Sequence, residues 1–236
     1  MDSANWGSQK LGATALKISV AAPRDQAAIT QLIKQAEYVH GNADWSISAD
    51  WWQQQGAFIA TRDNKLQAFI AATCDPAPVA WLRTLVIGMS EPAYAMRKLL
   101  PPVLVGMREA GARLLACLSP YAWLDAGLAK HGFRVATVIE EMVRDSAEIP
   151  PDTKINVLIR QAGSADIAPI IALDKKAFID PIWWLSASQL GRAAEEAFSF
   201  TVAENAGKIV GYQLSLQESP AHAHIVRLSV DPTAQG

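Results

Sequence analysis

The chain has 236 residues, half of them apolar and 19% charged, with a net charge of -2 and a mean hydropathy of +0.10. That is enough to bury a large core in one or two domains. It excludes the basic footprint of a nucleic-acid binder, and no uninterrupted apolar stretch is long enough to span a bilayer.

Residues 1–15 are small and polar and read as a tail; they lack a basic region followed by an apolar run, so no signal peptide is read and the cytosol is the default address. Leu16 to Ala22 alternates as a strand does, and Asp25 is placed to cap a helix whose face carries Ile29, Leu32, Ile33 and Ala36. A Trp-rich stretch follows (Trp45, Trp51, Trp52). Gly56–Arg62 and Leu66–Thr73 flank the polar turn Asp63-Asn64-Lys65, the clearest hairpin in the chain, and Val79–Ile87 is a further strand. Pro92–Ala110 has helical spacing with Gly111 as its stop, but Pro101-Pro102 should kink that helix or delay its start to about Leu100. Arg113–Leu118 reads as a strand, Ala122–His131 as a short helix and Phe133–Val143 as a final strand. Cys74 and Cys117 lie in apolar strand-like sequence, as buried free thiols do. Two cysteines and four scattered histidines have no zinc-ligand spacing, so no metal is expected. Pro150-Pro151 marks a linker.

The order of elements is not the strict alternation of a doubly wound sheet. The expected class is α/β (α+β), a mixed, mostly antiparallel sheet flanked by helices. After the linker the pattern restarts. At an offset of 138, Ala27, Ile29, Ile33 and Trp45 match Ala165, Ile167, Ile171 and Trp183. At 143, Ala60, Lys65, Leu66 and Phe69 match Ala203, Lys208, Ile209 and Tyr212; at 144, Arg83 and Val86 match Arg227 and Val230. The expected organisation is a tail over 1–15, a first unit over 16–146, a linker over 147–153, and the N-terminal half of a second unit over 154–236. The second unit has nothing after its fourth strand, so it is expected to be incomplete. An unpaired apolar edge invites a partner chain, which leaves a homodimer open.

The last stretch, Ile225–Val230 followed by Asp231-Pro232-Thr233-Ala234-Gln235-Gly236, resembles the fourth strand and the start of the pyrophosphate loop of the GNAT superfamily, the acyl-CoA-dependent N-acyltransferases. The family motif there is Gln/Arg-x-x-Gly-x-Gly/Ala. Gln235 and Gly236 would be its first two residues. The resemblance implies a tandem GNAT fold in which the fourth and fifth strands splay apart. Pantetheine lies in the gap against the fourth-strand backbone, and the diphosphate sits on N–H groups at a helix start. In the first unit an ungapped alignment puts Glu91 and Pro92 at the start of the loop and Tyr94 and Met96 at the glycine positions, and Leu128 where many relatives carry a thiolate-protonating tyrosine. Proline removes a donor, the side chains block backbone approach, and Glu91 repels phosphate. This unit therefore resembles a degenerate, structural member of the family.

In the second unit the resemblance assigns Leu228, Ser229 and Val230 to pantetheine and Gln235 and Gly236 to the diphosphate. The pattern Phe178-x-x-Pro181-x-Trp183 resembles enzymes of the ribosomal-protein alanine N-acetyltransferase type. It implies that Trp183 and Trp184 line the acceptor site, although either also reads as core. Some relatives carry a carboxylate base on the fourth strand; that position holds His224, which near a neutral pKa suits the work, and which also reads as a polar surface residue. The function implied is transfer of an acetyl group from acetyl-CoA, as co-substrate, to a primary amine of a small molecule or peptide. No nucleic acid or membrane is expected as a partner. The chain as given is expected to be inactive alone. The rival is a non-catalytic binding or scaffold protein of the same fold.

Overall fold

The computed structural model describes residues 15–41, 56–146, 148 and 156–235. The Trp-rich stretch and Gly236 lie outside these residues. The first part runs β1 (Lys17–Val20), a 3-10 turn (Pro23–Asp25), α1 (Gln26–Gln35), β2 (Tyr38–Gly41), β3 (Gly56–Arg62), β4 (Lys65–Thr73), β5 (Val79–Ile87), α2 (Pro92–Glu109), β6 (Leu114–Ala116) and α3 (Ala122–Ala129). The strands form one sheet in the order β1-β3-β4-β5-β2, with β6 pairing β5 in parallel and every other pair antiparallel. The β3–β4 turn holds Asp63 and Asn64 at φ 50 and 59, the left-handed region that suits a tight hairpin.

Alternation divides the strand residues between two faces. Ala57, Ile59, Phe69 and Ala71 pack under Ile29 of α1. Ala60, Ala68, Ile70, Leu85 and Ile87 pack under Met96, Leu99, Leu100, Val103 and Met107 of α2 and under Leu124 and Leu128 of α3. That apolar face decides the outcome at Pro101-Pro102. The two prolines deny donors to the carbonyls of Arg97 and Lys98, but both of those residues are exposed to water. Helix α2 therefore runs from Pro92 and is not delayed to Leu100.

The expected strand over Phe133–Val143 does not form. Residues 133–146 take no regular structure, and Val135, Val138, Met142 and Val143 are 79%, 78%, 93% and 81% exposed. Strand propensity needs a paired neighbour to act on, and among the described residues none pairs this segment.

The second part runs β7 (Leu158–Gln161), a 3-10 turn (Ser164–Asp166), α4 (Ile167–Ala177), a 3-10 turn (Pro181–Trp183), α5 (Ala187–Glu196), β8 (Ser199–Asn205), β9 (Lys208–Ser219), β10 (His222–Val230) and a 3-10 turn (Pro232–Ala234). Its four strands form an antiparallel sheet in the order β10-β9-β8-β7. Helices α4 and α5 lay Ile170, Leu173, Leu190 and Ala193 on Phe200, Val202, Tyr212 and Leu214.

The two sheets repeat in register, and the pairing corrects two of the offsets. β1 opposes β3 as β7 opposes β8, so Lys17 and Leu158 are equivalent, at 141. The helices follow at 141 as well. Buried Ile29 answers to buried Ile170, and Asp25 and Asp166 each accept from a backbone N–H three residues earlier, Ala22 or Gly163, at 2.8 Å. In the last strand Val86 pairs with Phe69 and Ser229 with Tyr212, so the offset stays at 143 rather than 144. Arg83 therefore answers to Val226, and Arg227 answers to Thr84.

Asp166 is also held by Arg160, whose guanidinium meets both its oxygens at 2.8 and 2.9 Å. These bonds, with the Gly163 N–H, pull its carboxyl down to about 2. A depressed carboxyl contributes stability above its unfolded value near 3.9 and loses it as pH falls toward 2. Asp166→Asn is expected to cost about 1 kcal/mol near pH 7 and to flatten the fall in denaturation midpoint between about pH 4 and pH 2. Urea titrations across that range are the check.

Candidate functional site

The candidate site is built from one strand edge and one loop of the second part. The edge is β10, the outermost strand of its sheet among the described residues. Asp231 N–H donates to the Val210 carbonyl at 2.8 Å. Antiparallel alternation then turns Ser229 toward β9 and leaves the N–H and C=O of Leu228 and Val230 on the open side. The Leu228 side chain is exposed. Gln235 folds back and donates its Nε2 to the Val230 carbonyl at 2.9 Å. Ser229 is buried, and its hydroxyl has no hydrogen-bond partner. Asp231 caps the turn that follows. Its Oδ1 accepts from the Thr233 N–H at 3.0 Å, which with Lys176 nearby holds the carboxyl below its ordinary range.

A bulge bends β10 just before this edge: Ile225 opposes Ser215 and Arg227 opposes Leu214, leaving Val226 as the extra residue. His224 lies before the bulge, exposed and opposite Leu216; Val226 stands between it and the Leu228–Val230 edge. His222, two residues earlier, meets the Ser219 hydroxyl at 2.9 Å.

The loop is Phe178–Leu185. Asp180 caps its turn by accepting from the Ile182 N–H, and Trp184 donates its indole N–H to the Phe178 carbonyl at 2.9 Å, with Lys175 over the ring. Trp183 and Trp184 are both half-buried. Arg227 ties loop to strand. It donates to the Trp183 carbonyl at 2.6 Å, lies 3.8 Å from the centre of the Phe178 ring, and forks onto both oxygens of Asp174 at 3.0 and 2.6 Å. Asp174 is fully buried and also accepts from the Tyr212 hydroxyl at 2.6 Å. Burial, then the Asp174 charge, raises the Tyr212 pKa well beyond its ordinary value, so Tyr212 acts as a fixed donor.

Asp174 is thus a buried anchor rather than a solvated carboxylate. It was legible in principle: with Ile170, Leu173 and Ala177 it falls on the inward stripe of α4, where a lone carboxylate requires a cation. The helix offset of 138 placed that stripe three residues early.

In the first part the equivalent edge is closed. Arg83 is the bulge residue of β5. Before it, Val79–Trp81 pairs with β6; after it, Thr84–Ile87 pairs antiparallel with β2. β6 ends opposite Trp81, and past the bulge Tyr38–Gly41 pairs with β5 instead. His40 of that strand is buried, its ring 3.5 Å from the Cys117 sulfur. Burial lowers the His40 pKa and pushes the Cys117 thiol up to about 12, so neither is charged near neutrality. Cys74 and Cys117 are both free.

Among the described residues no three His, Cys, Asp or Glu side chains gather as metal ligands, and no helix is long and apolar enough to cross a membrane. Neither a protein-family model nor a curated protein matches the sequence. Solved structures do match. A GCN5-related N-acetyltransferase from Sphaerobacter thermophilus superposes with a TM-score of 0.58 at 18% identity, over 94% of this chain and 78% of its own. A tandem GNAT protein from the clavulanic acid biosynthesis pathway gives 0.55 at 14% identity, over 94% and 81%. The fold is that of the GNAT N-acetyltransferases, in tandem. In GNAT terms β5 and β10 are the two fourth strands. The edge of β5 past the bulge, where the resemblance would put pantetheine, is paired with the chain's own β2.

Proposed function

We propose that residues 154–236 belong to an N-acetyltransferase unit and that residues 16–146, joined to it through 147–153, form a degenerate supporting unit. The observation that carries this reading is the contrast between the two fourth strands: β5 is paired along Thr84–Ile87 and β10 is open along Leu228–Val230. An open edge with outward N–H and C=O groups matches the amides of pantetheine. Leu228, Ser229 and Val230 would take that arm of acetyl-CoA, and Gln235 and Gly236 would begin the diphosphate loop. The Val230 carbonyl now held by Gln235 is released when the cofactor arm pairs.

The Trp183–Trp184 loop, tied by Arg227 to the same strand, would form the wall against the acceptor, a primary amine on a small molecule or peptide. The neutral amine adds to the thioester carbonyl, the C–S bond breaks, and CoA leaves as the thiolate, which takes up the proton the nitrogen loses as the amide forms. His224 would take the ammonium proton, directly or through water. Holding both reactants against one strand supplies orientation.

Isothermal calorimetry of acetyl-CoA, on residues 1–236 and on a form continued through the parent reading frame, tests this. The form that binds is expected to show one site per chain, because β2 pairs the edge of β5 past the bulge. Two sites would show that the first unit is not degenerate, and binding by neither form favours a non-catalytic scaffold.

A further inference from the structure

A degenerate unit retained beside a working one needs a physical reason, and the contact between the two units supplies it. Asp75 lies in the connection between β4 and β5 of the first unit. Its carboxylate Oδ2 accepts from the Ser186 hydroxyl at 3.0 Å and from the Ser188 hydroxyl at 2.9 Å. Its main-chain carbonyl accepts from Gln189 Nε2 at 2.6 Å.

These three partners are the N-terminal cap of α5 in the second unit. Ser186 is the cap residue: its Oγ accepts from the Gln189 N–H at 3.1 Å while Gln189 Oε1 accepts from the Ser186 N–H at 2.9 Å. This is a closed capping box. Gln189 is buried and Asp75 half-buried. A carboxylate facing the first turn of a helix opposes the partial positive charge there. The closed cap of α5 is therefore anchored to the other half of the chain.

Trp184 is separated from Ser186 by Leu185 alone. The loop is thus fastened at one end by Arg227, through the Trp183 carbonyl, and at the other by Asp75, through Ser186. We infer that Asp75 is a positioning residue: from the first unit it fixes the N-terminus of α5 and, through it, the Trp183–Trp184 wall of the second. The first unit then contributes geometry rather than chemistry. This rests on reading that wall as the acceptor side of the proposed acetyltransferase.

Hydrogen exchange on the whole chain decides the inference without any ligand. Asp75→Ala is expected to speed exchange about fivefold to tenfold at the first-turn amides of α5 and in residues 182–185, with β8 and β9 unchanged. Asp75→Asn keeps one acceptor oxygen and should fall between the two. Unchanged exchange in α5 overturns the inference. A rise spread evenly through the second unit also overturns it, since Asp75 would then hold the interface as a whole and not the loop.

Steady-state kinetics on the form that binds acetyl-CoA, with benzylamine as the probe acceptor, separates positioning from simple stability. Asp75→Ala should raise the acceptor KM about tenfold and leave the KM for acetyl-CoA unmoved. Equal changes in both, or none, count against the inference. If neither residues 1–236 nor the continued form binds acetyl-CoA or acetylates benzylamine, the acetyltransferase reading falls; exchange would still decide whether Asp75 fixes the loop.

Discussion

Replacing Asp174 by alanine is expected to cost the second unit about 3–5 kcal/mol. The Asp174 side chain is 1% exposed and that of Arg227 is 11% exposed. Their pairing has already met the cost of leaving water, and removing one partner strands the other. The guanidinium would keep only the Trp183 carbonyl and the face of Phe178, and the Tyr212 hydroxyl would lose its acceptor at 2.6 Å. Losses in one network do not add, so the sum stays within the range for breaking a buried pair. A domain is stable by roughly 5–15 kcal/mol, so such a loss is a large part of the total. Urea unfolding should show an early transition for the second unit while the first, with its own core, keeps its midpoint. The double replacement Asp174→Leu with Arg227→Met removes both charges together and should recover most of the loss. A midpoint for Asp174→Ala that stays within the error of wild type would show that Arg227 finds water or another partner, and the account of the clamp would fall.

That clamp also shows why some of the fold was legible in the sequence and some was not. The hairpin of β3 and β4 was read to within a residue because its information is local: alternating apolar runs on either side of a turn that tolerates positive φ. The tandem order of elements was legible for the same reason, since each element repeats its own pattern. Features that depend on a distant partner were missed. Tyr38–Gly41 is a strand because β6 ends opposite Trp81 and leaves the backbone groups of β5 past the bulge for it to satisfy. Phe133–Val143 has strand-forming composition but no pairing strand among the described residues, so it takes no regular structure, and most of it is exposed. Pro101-Pro102 looked disruptive in a window of sequence. The buried face of α2, from Ala95 to Met107, outweighs two lost backbone bonds at the exposed residues Arg97 and Lys98. In the site, Trp183, Trp184 and the Leu228–Val230 strand were named from the resemblance. The sequence assigned no site role to Arg227 or Asp75; that of Asp75 lies in a contact spanning 111 residues.

The second large effect concerns the open edge itself. Leu228→Pro is expected to abolish acetyl-CoA binding, a loss of at least about a hundredfold, while leaving the second unit folded. Proline removes a backbone donor, and in a sheet interior that breaks the ladder; on an edge it is tolerated where the N–H faces outward. Alternation from the Asp231–Val210 bond places the Leu228 N–H outward, so the ladder to β9 through Ser229 survives. Ser229→Pro is the contrasting variant: its N–H faces Tyr212, and its loss should lower the urea midpoint as well as binding. The pair separates two explanations that a single loss of binding would confuse. Calorimetry on the form that binds acetyl-CoA supplies the affinities, and urea unfolding of the same preparations supplies the midpoints. If Leu228→Pro binds as wild type does, the cofactor does not lie along β10. The contrast between a closed first strand and an open second one would then lose its functional meaning, even though both strands keep the same bulge and the same register.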